Sequence, residues 1–222
     1  VSNSFMDFHI QEFVSYKKEV GIFYHRYPDS STGKITGIVR KEFLSVTGDG
    51  VLTIRQLLRK SKRAMMYIQS LENIHGAFLN SILPPGEKMI LSPYGNHARG
   101  AMFLDDTHRI DDALSETIDA ICKKIPDFYY GRIDIRYDDW EELKTGKNFA
   151  IIEVNGAGSE ATHIYDPQHS IFFAWKEIAR HFKLLCTISI KNHKRGFPYL
   201  TVKEGMQMFK ENKAVVKNLK QF

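Results

Sequence analysis

The sequence predicts an α+β fold, a mostly antiparallel sheet packed by helices. Three observations predict it. An aromatic-rich, β-like run at Val20–Tyr27 is followed by a turn cluster and a second strand-like run at Ile35–Phe43. Ile110, Leu114, Ile118, Ile121 and Ile125 recur at helical spacing before Pro126. Two further strand-like runs, Tyr129–Tyr137 and Phe149–Val154, flank a polar stretch, residues 138–147, that reads as a turn.

The remaining elements follow in chain order. Phe8–Val14 reads as a short strand. Residues 20–43 read as an antiparallel hairpin around Pro28–Gly33. Gly48-Asp49-Gly50 breaks the pattern, and Thr53 with Gln56 three residues on forms a capping box before Ile54, Leu57 and Leu58. A helix over Ala64–Phe78 is expected to stop before Pro84-Pro85-Gly86, with short strands at Lys88–Ser92 and Ala101–Leu104. Asp166-Pro167 reads as a helix start, Asp as N-cap and Pro in the first turn. Ile171, Phe172, Trp175, Ile178, Ala179, Phe182 and Leu185 give that helix one apolar stripe, expected to face the core. Met206, Phe209, Val216 and Leu219 suggest a last, more polar helix.

Composition narrows the function classes. The chain has 222 residues, 43% hydrophobic and 26% charged, as in ordinary globular domains. Cys122 and Cys186 form no close-spaced motif, which excludes a disulfide framework and a cysteine-rich zinc module and suits a reducing, cytoplasmic compartment. No apolar run reaches membrane-spanning length, so no membrane partner is expected. The net charge of +5 is uneven: residues 176–222 carry 11 Lys+Arg against 3 Asp+Glu. A second basic run comprises Arg55, Arg59, Lys60, Lys62 and Arg63. With no nucleic-acid motif beside them, these charges read as solvated helix faces rather than a nucleic-acid site. Residues 167–222 are expected to form a helical, basic C-terminal extension.

The most informative stretch is Gly131-Arg132-Ile133-Asp134-Ile135-Arg136 followed by Ile151-Ile152-Glu153-Val154-Asn155-Gly156. Side chains alternate faces along a strand, so Arg132, Asp134 and Arg136 share one face, and Glu153 and Asn155 share a face opposite Ile152 and Val154. If the two strands pair, Asp134, Glu153 and Asn155 converge. Two carboxylates and an amide oxygen suit a hard divalent cation such as Mg2+. Arg132 beside them suits phosphate oxygens. Asn96-His97-Ala98-Arg99-Gly100 is a second polar cluster, where His97 and Arg99 suit a carboxylate or an acyl phosphate.

An Arg-X-Asp strand, a turn, and a Glu-X-Asn strand running into the glycine-containing loop Gly156–His163 resembles the C-terminal half of ATP-grasp ligases of the D-alanine–D-alanine ligase and glutathione synthetase groups. The resemblance covers residues 8–166. It implies ATP and Mg2+ as cofactors, with Asp134, Glu153 and Asn155 on the metal and Arg132 on phosphate. It implies adenine read by backbone groups of Glu12, Phe13 and Val14, ribose held by Glu19, and Lys41 reaching the γ-phosphate side. Ser159 and His163 would line the site for a second substrate. The family's N-terminal domain, its ATP-binding lysine strand and its small glycine-rich loop have no counterpart here. The chain therefore reads as a truncated C-terminal portion, residues 1–222, expected to have little activity alone.

The implied activity is an ADP-forming ligation of a small-molecule carboxylate to an amine or thiol through an acyl phosphate. The rivals are a non-catalytic nucleotide-binding or regulatory remnant of the same fold, and a basic nucleic-acid-binding module.

Overall fold

The computed structural model describes residues 10–219. Five antiparallel strands form the main sheet: β1 (Lys18–His25), β2 (Lys34–Glu42), β5 (Met102–Asp105), β6 (Tyr130–Tyr137) and β7 (Phe149–Asn155), in the order β5-β2-β1-β6-β7. A two-stranded sheet pairs β3 (Leu44–Thr47) with β4 (Lys88–Ser92). The helices are α1 (Ile54–Arg59), α2 (Lys62–Met65), α3 (Ile68–His75), α4 (Asp112–Cys122), α5 (Trp140–Lys144), α6 (Ile171–Lys194) and α7 (Val202–Leu219). The mixed, mostly antiparallel class expected from the sequence is the one observed.

One face of the main sheet is apolar. Val20, Ile22 and Tyr24 of β1 and Ile133, Ile135 and Tyr137 of β6 point to it by strand alternation, and Leu114, Ile118 and Cys122 of α4 pack on them. Asp111 caps α4 by accepting from the Leu114 amide at 2.9 Å. Leu44, Val46, Ile54, Leu58, Leu71 and Leu91 form a separate core beneath the small sheet. The Thr53/Gln56 capping box starts α1 as its sequence signature predicts.

Several expectations need correction. Phe8 and His9 lie outside the described residues. Residues 10–14 form no strand, and Ile10 and Phe13 stand exposed: among the described residues no strand pairs with them. The helix expected over 64–78 is three short pieces, α2, α3 and a 3-10 turn at Gly76–Asn80, because Tyr67 leaves helical geometry (φ −108°, ψ 0°) between α2 and α3 and Gly76 takes a positive φ of 54°. The expected polar turn at 138–147 contains α5: Asp139 caps it, and Trp140 and Leu143 bury against the core. The last long helix starts at Ile171 with Ser170 as N-cap. Asp166 instead accepts from the amides of Asp105 (2.7 Å) and Gln168 (2.8 Å), tying the preceding loop to β5. β7 is an edge strand, not a buried one, with Ile151 and Val154 partly exposed.

The largest inversion is in α6. Its buried face is Ala174, Glu177, His181 and Ile188, while Phe172, Trp175 and Phe182 of the expected core stripe are 72%, 59% and 67% exposed. Partners explain the rotation. Glu177 meets His163 at 3.3 Å, and His181 meets the Tyr130 hydroxyl at 2.7 Å. Arg180 reaches the Thr36 carbonyl at 2.6 Å. Turning the apolar stripe inward would expose these polar groups' partners and strand them in the sheet, at a cost of about 1–3 kcal/mol for each unsatisfied group. α6 thus packs on the sheet through Glu177, Arg180 and His181. Among the described residues no helix is long and apolar enough to cross a membrane.

Candidate phosphate- and cation-binding cleft

The polar face of the main sheet carries the site, and strand register builds it row by row. Cross-strand partners share a face. One row is Lys41, Glu19 and Arg136; the next is Val39, Gly21, Asp134 and Glu153; the third is Gly37, Phe23, Arg132 and Asn155. Three neighbouring rows thus bring eleven functional or framing positions from four strands onto about two square nanometres, given strand spacings of about 4.8 Å.

Asp134 is fully buried at the centre. Arg132 forks onto it, Nε to Oδ1 at 2.8 Å and Nη2 to Oδ2 at 3.0 Å. Lys41 Nζ bridges Asp134 Oδ2 (3.1 Å) and Glu19 Oε1 (2.8 Å). Arg136 Nε holds Glu19 Oε2 at 3.1 Å. Gly21 makes this closeness possible: a Cβ there would lie 2.8 Å from Asp134 Oδ1 and 3.0 Å from Arg132 Cδ. Aromatic rings of Phe23, Phe43 and Phe103 back the cations Arg132, Arg136 and Lys41 at 5.7, 4.8 and 5.9 Å from their centroids.

This network forms the floor of a cleft of about 430 Å³. Loop 93–97 is its roof. Arg136 Nη2 donates to the Pro93 carbonyl at 2.6 Å, and Gly95 sits so close to Glu19 that a Cβ would meet its carboxylate at 2.0 Å. His97 lines the cleft against the Phe103 ring at 5.2 Å, and desolvation, with Arg63 nearby, lowers its pKa. Glu153 stands at the mouth, exposed and without a cationic partner among the described residues. The Asn155 amide, oriented to satisfy both neighbours, accepts from Arg132 Nη2 and donates to Glu153 Oε1, each at 3.1 Å.

The structure brings together Glu19, Lys41, Arg132, Asp134, Glu153, Asn155 and His97. Glu19 and Lys41 are buried in the network. Glu12, Phe13 and Val14 line a smaller hollow that shares Arg136 and Ile152 with the cleft. Ile152 reaches both because a bulge opposite Asp134/Ile135 gives β7 an extra residue, so it does not sit with Val154 on the far face as strict alternation predicts.

Other predicted residues stand elsewhere. Arg99 is exposed over the Tyr94 ring at 4.6 Å and does not line the cleft. His163 is buried behind it, 3.3 Å from Glu177, and desolvation lowers its pKa. Ser159 lines a different pocket, beside α6. The residue undervalued by sequence reasoning is Arg136, which ties Glu19, the Tyr16 carbonyl and the Pro93 carbonyl together. Its signal was present: it is the third member of the Arg132, Asp134, Arg136 alternation.

The donor set fits a magnesium ion in kind, since Asp134, Glu153 and Asn155 offer hard oxygens. Among the described residues no three His, Cys, Asp or Glu side chains stand together as a metal cage.

No protein-family model matches the chain, and no curated protein matches it. Among solved structures it is similar to a bifunctional glutathione synthetase from Pasteurella multocida, at 16% identity and a TM-score of 0.48. The match covers 76% of this chain and 24% of that one, so the chain spans about a quarter of that structure's length.

Proposed function

We propose that the cleft binds the phosphates of ATP or ADP with magnesium, as one wall of an ATP-grasp-like site for ADP-forming ligation of a carboxylate. The observation that carries this reading is the charge arrangement of the floor. Lys41, Arg132 and Arg136 face two buried carboxylates, Glu19 and Asp134, which leaves one net positive charge on the cleft floor, offset by Glu153 at the mouth until a cation engages that carboxylate. Burying charges is costly unless they are paired, and a surplus cation in a cleft favours an anionic ligand. A polyphosphate supplies such an anion.

Arg132 is the group best placed to shift its fork from Asp134 toward phosphate oxygens, since guanidinium matches both geometries. Asp134, Glu153 and Asn155 would hold magnesium, which neutralises phosphate charge when bound. The hollow formed by Gln11, Glu12, Phe13, Val14, Arg136 and Ile152 supports the adenine assignment, because it shares Arg136 and Ile152 with the cleft and sets the apolar Phe13, Val14 and Ile152 beside polar groups. His97 remains neutral at pH 7 and can donate to a bound carboxylate or acyl phosphate without adding charge. Titration of the chain with Mg-ADP and metal-free ADP tests the reading: Mg-dependent affinity that falls in Glu153→Gln supports it, and equal affinity in both proteins rejects it.

A further inference from the structure

A second pocket, of about 370 Å³, lies between α6 and the loop that follows β7. Its walls are mostly apolar, including Ile178, Phe182 and Leu185 of α6. Two polar atoms that line it are buried without a hydrogen-bond partner: Ser159 Oγ and His181 Nε2. His181 is 5% exposed. A mostly apolar hollow of this size with a few unpaired polar atoms has the anatomy of a small-molecule site.

The hydrogen atoms can be assigned from partners. Tyr130 Oη lies 2.7 Å from His181 Nδ1, and no other partner of that hydroxyl exists among the described residues. A buried hydroxyl proton must be given to an acceptor, so Tyr130 donates to Nδ1. Burial pushes the Tyr130 phenol up to about 12, so it keeps that proton. Burial, with Arg180 beside it, lowers His181 to about 4, so the imidazole is neutral at pH 7. Its one proton is then on Nε2. The nearest carboxylate oxygen, Glu177 Oε2, is 4.0 Å away, beyond hydrogen-bond reach. Two free donors, Ser159 O–H and His181 Nε2–H, therefore serve this pocket.

The charges around it are spent. The cation beside His181, Arg180, is paired with Glu177 at 2.5 Å, and Glu160 keeps its negative charge while accepting from the Tyr165 hydroxyl at 2.7 Å. An ionised carboxylate would enter without a free cation to meet it, whereas a neutral carbonyl oxygen needs only donors. We infer that the pocket between α6 and loop 156–161 binds a neutral, apolar molecule through a carbonyl oxygen, using Ser159 and His181 as donors. This inference stands apart from the nucleotide reading, because none of its residues lies in the phosphate cleft.

The test uses three probes of one shape class: phenylacetamide, phenylacetate and toluene. Saturation-transfer NMR and calorimetric titration of the chain measure binding, and imidazole nitrogen shifts report the His181 tautomer. Phenylacetamide is expected to bind about tenfold more tightly than either other probe. Ser159→Ala is expected to weaken it about five- to tenfold. Ile178→Trp, at a half-exposed position that narrows the pocket, is expected to abolish binding while the melt is kept. An Nδ1–H tautomer, tighter binding of phenylacetate, or phenylacetamide affinity unchanged in both variants would overturn the inference, as would the absence of binding by all three probes.

Discussion

Two regions of the same sheet face solve the problem of buried polarity in opposite ways. Around Asp134 the side chains stay charged, and each buried carboxylate is held by two cations: Arg132 and Lys41 on Asp134, Lys41 and Arg136 on Glu19. Beneath α6 the histidines are discharged instead, beside the Glu177–Arg180 pair. Burial lowers His25, His163 and His181, and each of these rings keeps one nitrogen without a partner. The difference follows from residue type. A carboxylate or guanidinium resists neutralisation at pH 7 and must find a counter-charge, whereas an imidazole with an unperturbed pKa near 6.5 loses its proton at modest cost. The first region keeps its charges and pairs them. The second sheds them where residue type allows.

The strongest way to break this contrast is to remove the centre of the charged region. Asp134→Ala strips Arg132 and Lys41 of their shared partner in a buried setting. A loss of about 3–5 kcal/mol in unfolding free energy is expected, measured by urea denaturation. A loss below 1 kcal/mol would mean that the network is solvated and relaxed.

The neutral region is broken by acid. His181 has a folded pKa of about 4, below its unfolded value of about 6.5, so the unfolded chain binds more protons between these values. Stability is therefore full above pH 6.5 and falls as pH drops toward 4, by about 2 kcal/mol from this residue. His25 and His163 shift in the same direction and add to the loss. Thermal melts between pH 7.5 and 4.5 measure it, and His181→Gln should flatten the profile.

The exposed aromatic side of α6 sharpens the contrast with a smaller effect. Phe172→Ser touches neither region and should change stability by at most about 0.5 kcal/mol. A loss of 2 kcal/mol or more in a denaturant titration would mean that this stripe is core after all. Arg99→Ala should likewise leave nucleotide affinity within about twofold, because Arg99 stands outside the cleft.

Sequence reading served these two regions unequally. The charged region was legible because strand alternation is strict: Arg132, Asp134 and Arg136 at every second position, and Glu153 and Asn155 likewise, mark one face before any pairing is known. What alternation cannot reveal is the bulge that moves Ile152 to the cleft, or the burial of Glu19 and Lys41, which depends on the register of β1 against both neighbours. The α6 region misled because helical periodicity identifies the apolar stripe but not what the rest of the chain offers it. Tyr130, His163 and Thr36 are partners distant in sequence, and they turned the polar face of α6 inward. The short helix α5 was hidden because its two apolar residues, Trp140 and Leu143, are too few to display a period.

The central claim is that the charged region binds phosphate together with a cation held partly by Glu153. The most direct test is calorimetric titration of ADP into the chain and into Glu153→Gln, each with and without magnesium. Glu153 is exposed and has no cationic partner among the described residues, and a Gln there can still accept from Asn155, so the substitution should leave the melt unchanged. The account predicts that magnesium strengthens ADP binding to the unaltered chain about tenfold or more, and that Glu153→Gln removes most of that gain while metal-free ADP binds as well as before or better, since a negative charge has left the cleft mouth. The same magnesium gain in both proteins, or no ADP binding by either, would contradict it.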